Sequence, residues 1–438
     1  MLFTMILYLW KCMIGPRLNA VLIGHERLNI VRYIGILASP VLIPAMYRRG
    51  MFEPDGLRQL LQFSIAIFLV YASARALGGL GRLVNPTYRQ FMDETSSITP
   101  ATHKGVIENL IRKYDCDFRY WPAYYNASGK TPELFQLPAN SSYSEGIVWD
   151  WLSGPVAHTV ARRLMYPGSL QLMQDALRKN LLDSRLILMT KHSGQRRKIR
   201  AVDGNDIDTM FVDRRGSSGS NGEYLVICCE GNAGFYEFGI MGTPLKRNYS
   251  VLGWNHPGFE GSSGLPFPSQ EFSAIEAVME YGNKELGFPI DKIVVYAWSI
   301  GGFTAAHAAR CYPDIKGLII DASFDDVLPL ATPKFPSPLQ PLIRATIRRH
   351  FDLNVARLLH DFSGPVLLYR RTRDEIITVI EGRMSTNRGN DLLESLLVHR
   401  FPHVFDSQGK LLLRKWLDAD TTDRGERMRI HCRRQNEG

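Results

Sequence analysis

The chain has 438 residues, is 45% apolar and 22% charged, and carries a net charge of +9. That length exceeds one ordinary domain at about 100–200 residues per domain and fits one large α/β domain with an appended segment. The six cysteines have neither metal-ligand spacing nor the density of a secreted disulfide scaffold, so they read as reduced thiols facing the cytosol. The excess charge suits an anionic surface, and its distribution favours lipid over nucleic acid.

The basic residues of the first 80 positions flank apolar runs at residues 2–10, 33–47 and 59–74. A spanning helix needs about 20 apolar residues, so each run is short for one. Together, candidate spans 33–47 and 59–77 predict an N-terminal membrane hairpin in a region 1–83. Lys11, Arg17, Arg27 and Arg32 precede it, and Arg75, Arg82 and Arg89 follow it. Only Arg48, Arg49 and Arg58 sit in its loop, which places both ends in the cytosol. Pro40 and Pro44 also allow a re-entrant or interfacial hairpin. The first run has no basic start or small-residue cleavage site, so it is not read as a cleaved signal peptide.

Residues 84–183 form a connecting region, aromatic and turn-rich at first and helical over 156–182 with a break at Pro167 and Gly168. A hairpin follows, with strands at 198–202 and 207–212 around Asp203 and Gly204. Further apolar runs lie at 224–229, 250–254, 293–296, 317–321 and 365–369, with helix-length segments such as 270–286 and 302–311 between them. The run at 224–229 does not alternate, as expected of a strand buried on both faces, so neighbouring Cys228 and Cys229 point to opposite sides. Strands alternating with helices predict an α/β domain over 184–417, a mostly parallel sheet with helices on both faces and its ligands at the carboxyl ends of the strands. Residues 418–438 form a divergent basic tail.

The third-from-last of these strands leads into Ala297-Trp298-Ser299-Ile300-Gly301 and then a small-residue helix. This is the layout of the nucleophile elbow of α/β-hydrolases, where a sharp turn exposes a serine to a base and an anion-stabilising pocket. Ala297 departs from the Gly-x-Ser-x-Gly pattern, so the turn has to accept one methyl group. The oxyanion donors expected of this fold are the N–H of Ile300, after the nucleophile, and that of Asn232 in the loop Glu230-Gly231-Asn232-Ala233-Gly234. The acid belongs at the end of a later strand, where Asp374 leads over Asp321, Asp325 and Asp326, which also suit turn or helix caps. Only His399, His403 and His431 follow Asp374 as bases: His399 falls in a leucine-faced helix at 391–401, His403 has no strand before it, and His431 lies in the tail. The Pro-rich stretch from Pro329 to Pro341, followed by Arg344, Arg348 and Arg349, reads either as a cap near lipid headgroups or as a helix with its charges in solvent. No metal or cofactor is expected.

The chain resembles the α/β-hydrolase domain-containing protein 16 family, the phosphatidylserine lipases. The resemblance rests on Asn-Pro-Thr-Tyr-Arg-Gln-Phe at 85–91, Asp-Ile-Asp-Thr-Met-Phe-Val-Asp-Arg-Arg-Gly at 206–216 and Val-Ile-Cys-Cys-Glu-Gly-Asn-Ala-Gly-Phe-Tyr at 226–236. It continues through 250–259, 296–304, 321–326, 370–377 and 385–393, and spans roughly residues 30–417. It implies a membrane-anchored serine hydrolase in the endoplasmic reticulum that converts phosphatidylserine to lysophosphatidylserine, with some monoacylglycerol lipase activity. Its substrates, phospholipid and monoacylglycerol, and the membrane are then the partners; no nucleic acid is. The resemblance also implies Ser299 as nucleophile and Asp374 as acid. The family histidine lies well past Trp416, where this chain turns into its basic tail, so that histidine has no counterpart here. A catalytically silent hydrolase-fold membrane protein and an acyltransferase that passes the acyl group to another alcohol are the competing expectations.

Overall fold

The computed structural model describes residues 123–128, 143–217, 219, 221–371, 374–380 and 382–418, with scattered positions between 54 and 93. The first expected span, 33–47, and the tail beyond Asp418, with His431, lie outside the described residues. The chain divides into two compact units, Met1–Asp115 and Cys116–Gly438. In the first, the described positions from Pro54 to Ser73 are helical, and Leu61, Ile65, Phe68 and Leu69, spaced as one helix face, are exposed. Among the described residues no helix is long and apolar enough to cross a membrane.

The second unit is built on an eight-stranded sheet: β1 (Tyr125–Asn126), β2 (Gln195–Arg200), β3 (Asp206–Val212), β4 (Asn221–Cys229), β5 (Tyr249–Trp254), β6 (Ile293–Trp298), β7 (Gly317–Asp321) and β8 (Val366–Tyr369). Their order across the sheet is β1-β2-β3-β5-β4-β6-β7-β8. β3 runs antiparallel to β2 and β5, and every other pairing is parallel. The mostly parallel sheet of the α/β-hydrolase fold is therefore present, and the β2–β3 hairpin turns at Asp203, whose carboxylate accepts the Asn205 N–H at 3.0 Å. Strand β1 joins the edge from within residues 84–183. Tyr125 is fixed there by a 2.6 Å hydrogen bond from its hydroxyl to Glu280.

The longer helices are α1 (Ile147–Val156), α2 (Gln171–Lys191), α3 (Pro268–Glu280), α4 (Gly301–Cys311), α5 (Gln340–His350), α6 (Val355–His360), α7 (Arg388–Arg400) and α8 (Ser407–Leu417). Alternation along β4 sends Leu225, Ile227 and Cys229 into one core, with Phe272, Ile275, Phe303 and Leu358 from α3, α4 and α6. Val226 and Cys228 enter a second core with Leu188, Tyr236, Met241 and Leu245 on the opposite face. The two neighbouring cysteines are free thiols on opposite faces. Toward β8 this second face is open among the described residues: Leu367 and Tyr369 are exposed, and a groove of about 550 Å³ runs over Val294, Tyr296, Ile319 and Tyr369. Ser299 does not line that groove.

The hairpin is locked by a buried ion pair. Arg196 Nε and Nη2 reach the two oxygens of Asp208 at 2.9 and 2.7 Å, and the Tyr236 hydroxyl donates to Asp208 Oδ1 at 3.2 Å. Removing one partner of such a pair leaves a buried charge alone, at a cost of about 3–5 kcal/mol. Asp208→Ala is therefore expected to lower the unfolding midpoint in urea by an amount equivalent to about 3–5 kcal/mol. A change below about 1 kcal/mol would contradict a fully desolvated pair.

Candidate active site

β6 and α4 are joined by a two-residue turn, and Ser299 occupies it with φ +54°, a left-handed conformation that L-residues avoid. Such strain costs on the order of 1–3 kcal/mol and persists only when its surroundings enforce it. Here the Ser299 N–H donates to the Asp321 carbonyl at 2.9 Å, and the Ser299 carbonyl accepts from the Gly302 N–H at 3.0 Å. Gly301 and Gly302 allow the close fit. A Cβ on Gly301 would lie 2.3 Å from the Cys229 carbonyl oxygen, and one on Gly302 would lie 2.3 Å from Ser323 Oγ. Ala297 is fully buried in the main core, so its methyl group is accommodated before the turn instead of within it. Ser299 itself is half-buried and open to solvent.

The loop after β4 lies beside the elbow, because β4 pairs with β6 up to Cys229 and Ala297. Gly231 rests on the Trp298 ring, where a Cβ would meet a ring carbon at 3.1 Å. The Asn232 carbonyl accepts the Gly168 N–H at 3.1 Å, and the Gly231 carbonyl accepts that of Gly234 at 2.9 Å. Among the described residues neither the Asn232 nor the Ile300 N–H has an acceptor. Helix α4 also starts without a side-chain cap, so its N-terminus adds a positive end at the same place. Unpaired N–H groups of this kind are what a tetrahedral oxyanion would need.

Asp374 follows β8 at the same carboxyl edge of the sheet. Its Oδ1 accepts the N–H groups of Ile376 and Ile377, both at 2.9 Å, and its Oδ2 has no hydrogen-bond partner among the described residues. The other three aspartates are occupied. Asp321 is paired with Arg371, Asp325 with Arg388, and Asp326 with Arg348 while it also caps Leu328. An acid fixed through one oxygen with the other open suits orientation of a histidine.

The described imidazoles are placed elsewhere. His399 is exposed and stacks on His360 at 4.2 Å, and His403 lies exposed in the turn before α8. His307 is packed against Phe272, and burial pushes it down to about 3, which keeps it neutral. No described imidazole is hydrogen-bonded to Ser299 or Asp374. The arginines after the Pro-rich stretch serve ion pairs: Arg344 with Glu145, Arg348 with Asp326 and Asp352, and Arg349 with Asp150. Helix α5 is thereby held against the α1 segment, which it packs on directly.

Sequence reasoning missed one group in the loop, the Glu230 side chain. It is fully buried, its Oε1 accepts the Ile240 N–H at 2.8 Å, and Gly239 leaves it room, since a Cβ there would sit 2.1 Å from Oε1. Burial pushes this carboxyl up to about 8, against the Ile240 hydrogen bond and the nearby His256, which favour its charged form. The folded-state value therefore lies above the unfolded one of 4.5. The stability gained by keeping the proton is complete below pH 4.5 and is lost as pH rises through about 8. Glu230→Gln is expected to flatten the decline of stability between pH 5 and 9, measured by urea unfolding across that range. Parallel curves for the two proteins would show that Glu230 is not held protonated.

Comparison with known proteins follows the same lines. Residues 7–117 match the family model of the phosphatidylserine lipase ABHD16 N-terminal domain, and residues 224–389 match that of the α/β-hydrolase fold. Phosphatidylserine lipase ABHD16A of Homo sapiens is 42% identical over 413 residues, covering 89% of this chain and 73% of that protein. An uncharacterized protein of Caenorhabditis elegans is 33% identical over 442 residues, covering 95% of this chain and 89% of that one. Among solved structures, an esterase of Pyrococcus furiosus is 16% identical, with a TM-score of 0.34 over 51% of this chain and 91% of its own. With its elbow serine, the glycine-rich loop after β4 and this degree of identity over most of both sequences, the chain belongs to the ABHD16 family of α/β-hydrolases.

Proposed function

We propose that the chain is a membrane-bound serine hydrolase that removes one acyl chain from phosphatidylserine, with monoacylglycerol as a second substrate. The observation that carries the reading is Ser299 held at φ +54° in the turn between β6 and α4, next to the loop after β4. The human relative of this chain is named as a phosphatidylserine lipase, which supports the choice of substrate.

The chemistry runs in two stages. Ser299 Oγ attacks the ester carbonyl carbon while a base takes its proton, and the negative charge moves to the carbonyl oxygen facing the N–H groups of Ile300 and Asn232. The carbon–oxygen bond to glycerol then breaks, and the lysophospholipid leaves with the proton. Water attacks the acyl-Ser299 ester in the same way and releases the fatty acid. Asp374, held through one oxygen with the other open, is placed to orient that base, and among the described residues no imidazole takes that part. The stretch 1–83 anchors the protein in the endoplasmic reticulum, with the catalytic unit in the cytosol. The exposed face of Leu61, Ile65, Phe68 and Leu69 supports an apolar surround for that region.

Two experiments test these statements. Membranes containing the chain are expected to release lysophosphatidylserine from phosphatidylserine and to label with a fluorophosphonate probe, and Ser299→Ala is expected to abolish both. Equal hydrolysis by the two proteins would leave a hydrolase fold that binds lipid without cleaving it. After an alkaline carbonate wash the chain is expected in the membrane pellet, and release of a chain lacking residues 1–83 into the supernatant would assign the anchor; retention of that shortened chain would place it elsewhere.

A further inference from the structure

The loop that carries the oxyanion donors is held from behind by a buried pair that the scheme above does not use. His256, in the turn after β5, and Glu271, in the first turn of α3, are both fully buried. His256 Nδ1 lies 2.7 Å from Glu271 Oε2, and its Nε2 lies 3.0 Å from the carbonyl oxygen of Glu230. The rings of Tyr166, Trp254 and Phe259 enclose the imidazole, with centroids 5.7, 5.0 and 5.2 Å away.

Proton counting limits what this pair can be. A peptide carbonyl only accepts, so Nε2 carries a proton. The Nδ1 contact with a carboxyl oxygen needs another, placed either on the ring, as imidazolium against carboxylate, or on Glu271. Burial works against the imidazolium, but the Glu271 charge and hydrogen bond outweigh it and raise His256 above its ordinary value. The Glu230–Gly231 peptide thus accepts a charge-assisted hydrogen bond, of the kind roughly twice as strong as a neutral one.

The opposite side of the loop is held as well. Gly168 donates to the Asn232 carbonyl, and Gln174 Nε2 donates to the carbonyls of both Gly168 and Gly258, tying that support to the turn that carries His256. We propose that Glu271 and His256 are positioning residues for the reaction, fixing the Glu230–Gly231 peptide plane so that the Asn232 N–H points at the site of the oxyanion. This rests on the serine hydrolase reading. Neither residue touches substrate; each acts through the backbone of the loop.

The test uses the full chain in membranes, with phosphatidylserine vesicles as substrate and a fluorophosphonate as a second probe of Ser299. His256→Phe keeps an aromatic ring in the same enclosure but removes the donor to Glu230. Glu271→Gln keeps a hydrogen-bonded chain, since its amide can donate to Nδ1, and removes only the charge. His256→Phe is expected to lower kcat and the labelling rate about 10- to 100-fold at unchanged KM, a part of the loss caused by removing an oxyanion donor outright. Glu271→Gln is expected to lower both several-fold, again at unchanged KM and with an unchanged unfolding midpoint. A folded His256→Phe protein with the parent kcat, or a loss confined to KM, overturns the proposal. If His256→Phe does not fold, Glu271→Gln decides alone, and the parent kcat in that variant overturns it. Absence of Ser299-dependent turnover in the parent chain removes the hydrolase reading and the proposal with it, a result distinct from silent variants of an active parent.

Discussion

The site depends on one close approach, that of Gly301 to the end of β4. With the position of a Cβ only 2.3 Å from the Cys229 carbonyl oxygen and 2.5 Å from that of Glu230, no other residue fits without moving backbone. The approach brings the start of α4 directly under the loop after β4. The chain has only Ser299 and Ile300 in which to turn from strand to helix, so one of them takes an unfavourable backbone conformation, and Ser299 does. The strain at Ser299 and the placing of the loop after β4 beside the start of α4 are consequences of the same packing. The Asp321 carbonyl completes the arrangement by accepting the Ser299 N–H, so the strand next to the elbow helps to hold it.

Much of this was legible in the chain because the signals are local. The apolar runs with their bounding glycines mark β4 to β8, and the small residues after Ser299 mark α4. Asp203 and Gly204 mark the β2–β3 turn. What was not legible depends on partners distant in sequence. Strand β1 has two residues and exists because Tyr125 and Asn126 pair with Ile199 and Arg200. The arginines that occupy Asp321, Asp325 and Asp326 lie 50, 63 and 22 positions away. Strand order favours Asp374 over these aspartates but does not show which of the carboxylates is free. Pairing does: a carboxylate held by guanidinium groups is committed to structure, whereas Asp374 is held by two backbone N–H groups through one oxygen only.

The same distinction explains the histidines. Their local sequence leaves His399 and His403 open as bases, but helix geometry puts His399 on the exposed side of α7, where it stacks on His360. Among the described residues, His256 is the imidazole placed against the loop; it precedes the nucleophile in the chain and faces a carbonyl and a carboxylate, so it is already committed at both nitrogens. Both of its nitrogens are hydrogen-bonded to groups other than the serine, a carboxylate of α3 and a backbone carbonyl.

Burial decides the charge state of the acid in the loop after β4. A carboxylate in that loop would repel the negative charge that forms on the substrate oxygen, and at short range in a low dielectric the repulsion would be severe. Glu230 sits in the loop yet is pushed up to about 8 by burial, so at neutral pH it is mostly uncharged. Behind it, the His256 Nε2–H donates to the Glu230 carbonyl, and in front the uncapped N-terminus of α4 adds its positive end. A neutral acid, a donated proton and a helix terminus thus set a positive potential at the loop. That is how a fully buried glutamate can stand next to the donors of Asn232 without opposing them.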